Sequence, residues 1–339
     1  MAYTYLKGIN IGGWMNCFED LTDDFAAHVR TFITESDIDR IASWGADHIR
    51  LPFQNDILNE DTYAMIERAI GWCNSRGLGV ILDLHYLTGM TCNPLIRDNP
   101  LFLPENQELF VRVWQDVSHH MHHHDDGVRY ELLNEVTDGI GYLWNMLYPK
   151  GVAAIRDLEK ERKIYVGSNR MNEVACLVEL RTQDDPNLIY NFHYYSPHAF
   201  THQKARFDAD MRAFNHAYDY PCFFGDELYA YVREHPDYVE RCPGVLLTHN
   251  NRAGLEKDLR AASDFMHYTG KPLYCGEFGV IEMAEETSAV KWIQDMVEIL
   301  RGKGIGYCYW CYKVRDFGIV DIHGNEVKPL LPGILFGGK

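Results

Sequence analysis

Apolar residues recur along the chain in short runs bounded by Gly, Pro, Asn and Asp. Eight of these runs predict strands, at 7–13, 46–53, 79–86, 128–136, 163–168, 188–195, 272–280 and 304–313. Most of the intervals show helical spacing, predicting helices over 35–44, 60–76, 104–123, 141–162, 171–180, 255–268 and 286–303. Strands apolar on both faces, such as VILDL from Val80 and IGYCYW from Ile305, belong to a sheet covered by helices. Eight β-then-α units favour a closed barrel over an open sheet. The expected fold is therefore α/β, a (β/α)8 TIM barrel forming a single catalytic domain over 1–339. One interval breaks the rhythm: 196–254, after the sixth strand, carries many aromatics, among them Phe200, Phe214, Tyr218, Tyr220, Phe223 and Tyr229. A connection that long is read as a small inserted subdomain or lid, and following a strand it lies at the cleft face of a barrel.

Composition narrows the function. Hydrophobic residues make up 46% and charged residues 24%, ordinary values for a packed globular chain. The formal charge of −17 repels phosphate backbones and anionic membranes, so no nucleic-acid partner is expected. No apolar run is long enough to span a bilayer, and residues 1–7 lack the pattern of a secretory leader. The chain as it stands reads as cytoplasmic, or as secreted if a leader was trimmed. A monomer is expected. Nine scattered cysteines read as buried reduced thiols. Gly8, Gly12 and Gly13 lack dinucleotide-binding spacing, and no P-loop, GxSxG or HExxH motif occurs.

In a barrel, chemistry gathers at the C-terminal ends of strands. The polar or aromatic residues there are Asn10 with Trp14 just beyond, Arg50, Asp83 and His85, Asn134 and Glu135, His193, Tyr194 and Tyr195, Glu277, and Trp310. One buried carboxylate is usually a structural ion pair. Two acids on strands four and seven, converging with an arginine, suit glycoside hydrolysis, in which one carboxyl protonates the leaving oxygen and the other attacks or activates water. The acid must keep its proton and its partner must stay ionised, so the placement of Arg50 decides the roles, and the sequence leaves that placement open.

The segments KGINIGGW from Lys7, HIRLPF from His48, ILDLHY from Ile81, ELLNEV from Glu131, YNFHYY from Tyr190, LYCGEFGV from Leu273 and YWCYK from Tyr309 resemble, in order, the strand motifs of glycoside hydrolase family 5. These are retaining glycosidases on (β/α)8 barrels, and the run FHYYSPHAFTHQKA is similar to that of a clostridial cellulase type. The resemblance spans nearly the whole chain. It implies Glu135 as general acid/base and Glu277 as nucleophile, held and ionised by Arg50 and Tyr195. It implies further that Asn134 binds the sugar 2-hydroxyl, that His85 and His193 line the pocket, and that Trp310 floors it. Asn10 is grouped with these substrate-binding candidates. Pleat alternation puts Asn134 and Glu135 on opposite faces, so a strand end or bulge is expected between them. A retaining enzyme also requires carboxyls ~5–5.5 Å apart.

Other features weigh less. The run HHMHHHDD from His119 ends the third long helix, hence on the face away from the cleft; imidazoles suit a helix C-terminus, and no catalytic metal is expected. Cys308 and Cys311 point to opposite strand faces and do not make a zinc site. Phe200 and Tyr229 are named as possible sugar platforms. Trp14 either lines the cleft or packs the first loop. The expected activity is endo-hydrolysis of β-1,4 or mixed β-1,3-1,4 glucan, poly- or oligosaccharide, without cofactor. The rivals are β-mannan cleavage, exo-acting release of single sugars, a carbohydrate-binding barrel without catalysis, and a metal-dependent hydrolase.

Overall fold

The computed structural model describes residues 5–93, 95–96, 98–139, 141–241 and 250–337. Its centre is a closed barrel of eight parallel strands in sequential order: β1 (Lys7–Asn10), β2 (His48–Gln54), β3 (Gly79–Tyr86), β4 (Val128–Glu131), β5 (Ile164–Gly167), β6 (Leu188–Tyr194), β7 (Leu273–Phe278) and β8 (Gly306–Tyr309). This is the (β/α)8 architecture expected from the run pattern. Outside it pack the helices Glu35–Trp44, Glu60–Asn74, Pro104–Met121, Tyr142–Leu158, Arg260–Thr269 and Glu286–Gly302. Outward strand residues such as Ile49, Leu51, Val80 and Leu82 join the buried faces of these helices in one continuous apolar layer. At ~25 cal/mol per Å² of apolar area removed from water, that layer supplies most of the drive to fold.

The middle of the barrel departs from an apolar filling. Tyr5, Ile81, Tyr165, Tyr274 and Cys308 form a small separate plug, with Arg129 stacked 3.4 Å over the Tyr5 ring. Above the plug, Asn10, Arg50, Asp83, Glu131 and Asn191 are all fully buried. Side chains from five strands that touch one another meet on the barrel axis, so this level is a polar network.

One predicted helix, 171–180, does not form as such. Arg170, Met171 and Asn172 all have positive φ (51°, 60° and 57°), a left-handed turn that no α-helix accommodates, and a 3₁₀ segment follows over Val174–Glu179. The 196–254 interval holds the short helices His198–Thr201, Ala209–Phe214, Asp226–Glu234 and Pro236–Arg241, and the helix Arg252–Asp258 begins within it. Residues 242–249 of that interval lie outside the described residues. Phe200 is fully buried against Tyr220, so it packs the interior of this segment and offers no face to a sugar. Trp14 is likewise buried, its indole donating to Val29 O at 2.9 Å, which makes it packing for the first loop.

Candidate active site

Local backbone irregularities aim the two acids. On β7, Tyr274 points into the barrel plug and Cys275 into the outer layer, so strict alternation would turn Glu277 outward. The β6–β7 register instead shifts after Phe192, pairing His193 with Glu277 and skipping Gly276. This bulge returns Glu277 to the mouth. A Cβ at position 276 would lie 2.6 Å from Asn191 Nδ2, so the bulge requires glycine. Strand β4 ends at Glu131, and Glu135 has φ 46°, a left-handed conformation that turns its side chain into the same cleft as Asn134.

Arg50 organises the floor. Its Nε and Nη2 grip Glu131 at 2.8 and 2.9 Å, Nη2 also meets Asn134 Oδ1 at 2.9 Å and Asp83 Oδ2 at 3.0 Å, and Nη1 reaches Asn10 Oδ1 at 2.8 Å and Glu277 Oε1 at 2.7 Å. The second oxygen of Glu277 accepts from Tyr195 Oη at 2.8 Å. Burial and the adjacent carboxylate hold the Tyr195 phenol well above its ordinary range, so it stays a donor.

Glu135 has a different environment. It accepts from His193 Nδ1 at 3.0 Å, and Asn172 Nδ2 donates to the other ring nitrogen at 3.1 Å, which leaves the imidazole proton facing Glu135. Burial holds His193 down at about 4, so the ring is neutral at pH 7. Desolvation pushes Glu135 up to about 7, against the opposing pull of His85 and Arg50. His85 stacks on Trp310 at 5.5 Å, bonds Asp83 Oδ2 through Nδ1 at 2.8 Å, and is lowered to about 4 by burial. Asp83 itself is raised to about 7 by burial, and its Oδ1 has no hydrogen-bond partner among the described residues. Glu135, His193 and Glu277 offer ligand atoms all within 4.8 Å of one another. That cluster has the residue types of a metal site, but the guanidinium 2.7 Å from Glu277 disfavours a cation there.

Most of the residues singled out in the sequence converge here. His85, Glu135, His193, Tyr195, Glu277 and Trp310 line a cavity of about 270 Å³. Gly12 lies under Trp310, where a Cβ would approach its ring to 2.9 Å. Of the substrate-binding candidates, Asn10 and Arg50 do not line this cavity, and Arg50 sits against Glu277, the contact that the resemblance gives it. Both are fully buried beneath the cavity, and the Asn10 amide is used up on Arg50, Gly276 O and Tyr309 O. They hold other side chains in position. Asn134 bridges the two levels, accepting from Arg50 and meeting His85 Nε2 at 3.4 Å. Sequence reasoning passed over Glu131, Asn172 and Asn191. The alternation of Arg129 and Glu131 in a strand buried on both faces was the available signal for Glu131, because charges there need partners across the barrel.

The family model described as Cellulase (glycosyl hydrolase family 5) matches residues 10–316. The chain belongs to glycosyl hydrolase family 5. It is a glycoside hydrolase of the cellulase-like kind. It is 34% identical over 340 residues to Endoglucanase C of Acetivibrio thermocellus, covering 96% of each chain. It is 30% identical over 314 residues to Cellodextrinase A of Ruminococcus flavefaciens, covering 88% of this chain and 83% of that one. Its fold matches Thermotoga maritima Cel5A, solved with mannotriose, with a TM-score of 0.75 at 20% identity over 97% of both chains.

Proposed function

We propose that this family 5 hydrolase is an endo-acting β-glucanase that cleaves β-1,4 or mixed-linkage glucan by double displacement. Glu277 is the nucleophile and Glu135 the acid/base. The observation that carries the reading is the contrast between two acids whose ligand atoms lie within 4.8 Å: Glu277 faces a guanidinium and a phenol, and Glu135 a neutral imidazole. One oxygen of each lies within 4.8 Å of the other, an approach that favours the ~5–5.5 Å retaining class over the ~6.5–9.5 Å class, in which a water stands between the second carboxylate and the sugar.

Glu135, raised to about 7, enters the reaction protonated and gives its proton to the leaving glycosidic oxygen. Glu277, gripped by Arg50, attacks the anomeric carbon, whose bond to the leaving oxygen breaks. Glu135, now ionised, then takes a proton from the water that releases the sugar, and both groups return to their starting states. Asn134, fixed by Arg50, faces the sugar 2-hydroxyl, where a hydrogen bond strengthens towards the oxocarbenium-like transition state. Trp310 and His85, stacked on each other, give the sugar at the cleavage point an apolar wall.

The endo-glucan assignment rests on the likeness to Endoglucanase C along 96% of both chains. Mannan is the second substrate to examine, because the similarly folded Thermotoga protein was solved with mannotriose. Product analysis on barley glucan, carboxymethylcellulose, cello-oligosaccharides and mannan decides between them. Rapid loss of viscosity on glucan, with β-configured first products by NMR, is the expected outcome. Release of single sugars from chain ends, α-configured products, or turnover confined to mannan overturns it.

A further inference from the structure

The histidine run at the end of the Pro104–Met121 helix has a partner that its sequence spacing does not suggest. Spacing pairs His119 with His123 on one helix face, but the helix ends at Met121, and His123 and His124 turn towards Glu67 on the Glu60–Asn74 helix. His124 Nε2 lies 2.9 Å from Glu67 Oε2, and His123 Nε2 lies 3.3 Å from Glu67 Oε1. The two rings are 4.1 Å apart, and one donor atom from each of the three residues falls within a 4.8 Å set.

We propose that Glu67, His123 and His124 bind one divalent transition-metal ion of the zinc class at the end of the barrel opposite the cleft. Ligands around a tetrahedral zinc, bonded at ~2.0–2.2 Å, are themselves roughly 3.3–3.5 Å apart. His124 and His123 approach the two different oxygens of the one carboxylate, at 2.9 and 3.3 Å, so an ion is taken up when the rings and the carboxylate rotate from these direct contacts to share it, starting from donor atoms within 4.8 Å of one another. Two imidazoles and one carboxylate select zinc, nickel or copper over calcium or magnesium, which prefer all-oxygen shells. Water completes the coordination.

The support is rigid. Arg162 Nη2 donates to His124 O at 2.9 Å and its Nη1 to Asp125 O at 2.7 Å, while His124 N closes on Met121 O at 3.1 Å. The turn carrying both histidines is thereby fixed before any ion arrives. On the other side Tyr63 stacks on His120 at 3.7 Å, locking the two helices together. The ion ties the Glu60–Asn74 helix to the turn that feeds β4, and its effect is on stability.

The test uses the untagged chain, stripped with chelator and titrated with zinc chloride at pH 8 by calorimetry, with parallel melting curves. One equivalent should bind, and saturation should raise Tm by roughly 2 °C or more. Glu67→Ala and His124→Ala should each weaken binding at least tenfold and remove the Tm shift, while His119→Ala and Glu135→Gln leave both intact. Should a variant fold poorly, the visible absorption of bound cobalt(II) in the wild type, lost in the half-exposed His123→Ala, reads the same coordination. Absence of binding, binding undiminished in Glu67→Ala and His124→Ala, or binding lost in Glu135→Gln overturns the proposal; the last would place the ion in the cleft.

Discussion

The guanidinium of Arg50 lies 2.7 Å from the carboxylate of Glu277, whereas the group donating to Glu135 is the neutral imidazole of His193 at 3.0 Å. Two carboxyls a few ångströms apart would otherwise compete for one proton. Desolvation raises Glu135, which therefore keeps the proton, while the arginine stands beside Glu277. The role proposed for each acid rests on that asymmetry.

Glu135→Ala removes the proposed proton donor and leaves the proposed nucleophile in place. Turnover of natural glucan should fall by ~10²–10⁴-fold, whereas formation of the glycosyl-enzyme from an aryl glycoside with an acidic phenol should be largely spared. Added azide should restore turnover and give a glycosyl azide of retained configuration. Pre-steady-state bursts and NMR of the product read both effects, and equal losses on the two substrates would contradict the assignment.

Glu277→Gly opens space where the nucleophile stood. Activity should drop roughly 10⁴-fold or more on every substrate. Azide occupying the vacated position should attack directly and yield the azide of inverted configuration. A retained azide would return the nucleophile role to another group.

Glu131 is a buried anchor of the network, taking two hydrogen bonds from a fully buried Arg50 and one from Asn191 at 2.7 Å. Glu131→Ala leaves that guanidinium short of partners, and breaking a buried pair costs ~3–5 kcal/mol. Urea unfolding should show a loss of that order, and kcat should fall because Arg50 no longer holds Glu277 and Asn134 in register. A loss below ~1 kcal/mol would mean that Asp83 and Asn10 suffice to hold the arginine.

The barrel was legible in the sequence because eight predominantly apolar runs are bounded by turn residues and most of the intervals between them carry a helical period, so local pattern and global fold agree there. The mouth residues were legible because polar groups at the ends of such strands have few structural uses. Two things were not. The level of Asn10 and Arg50 beneath the cavity depends on which side chains meet across the axis, and no local pattern records that. The left-handed turn at Arg170–Asn172 has helix-compatible residues and no glycine; it is imposed by packing, with Asn172 held against His193 at 3.1 Å.

The pH dependence joins catalysis to stability. Glu135 must be protonated to act as acid, so with its carboxyl at about 7 the rate should fall as pH rises beyond that value, roughly tenfold per unit. The same elevation carries a stability cost. An unfolded glutamate releases its proton near pH 4.3, whereas the folded chain keeps it to about 7, so between these values the native state binds more protons and stability declines as pH rises. Asp83, also raised to about 7, adds to the decline. Glu135→Gln mimics the protonated acid and removes its share of the penalty. It should therefore unfold with wild-type stability at pH 4 and be more stable than wild type at pH 8, by about 1–3 kcal/mol, while losing most of its activity on glucan. Denaturant midpoints at the two pH values measure this directly. A Glu135→Gln variant no more stable than wild type at pH 8 would show that the carboxyl ionises without strain, and the case for it as the resident acid would fall with that result.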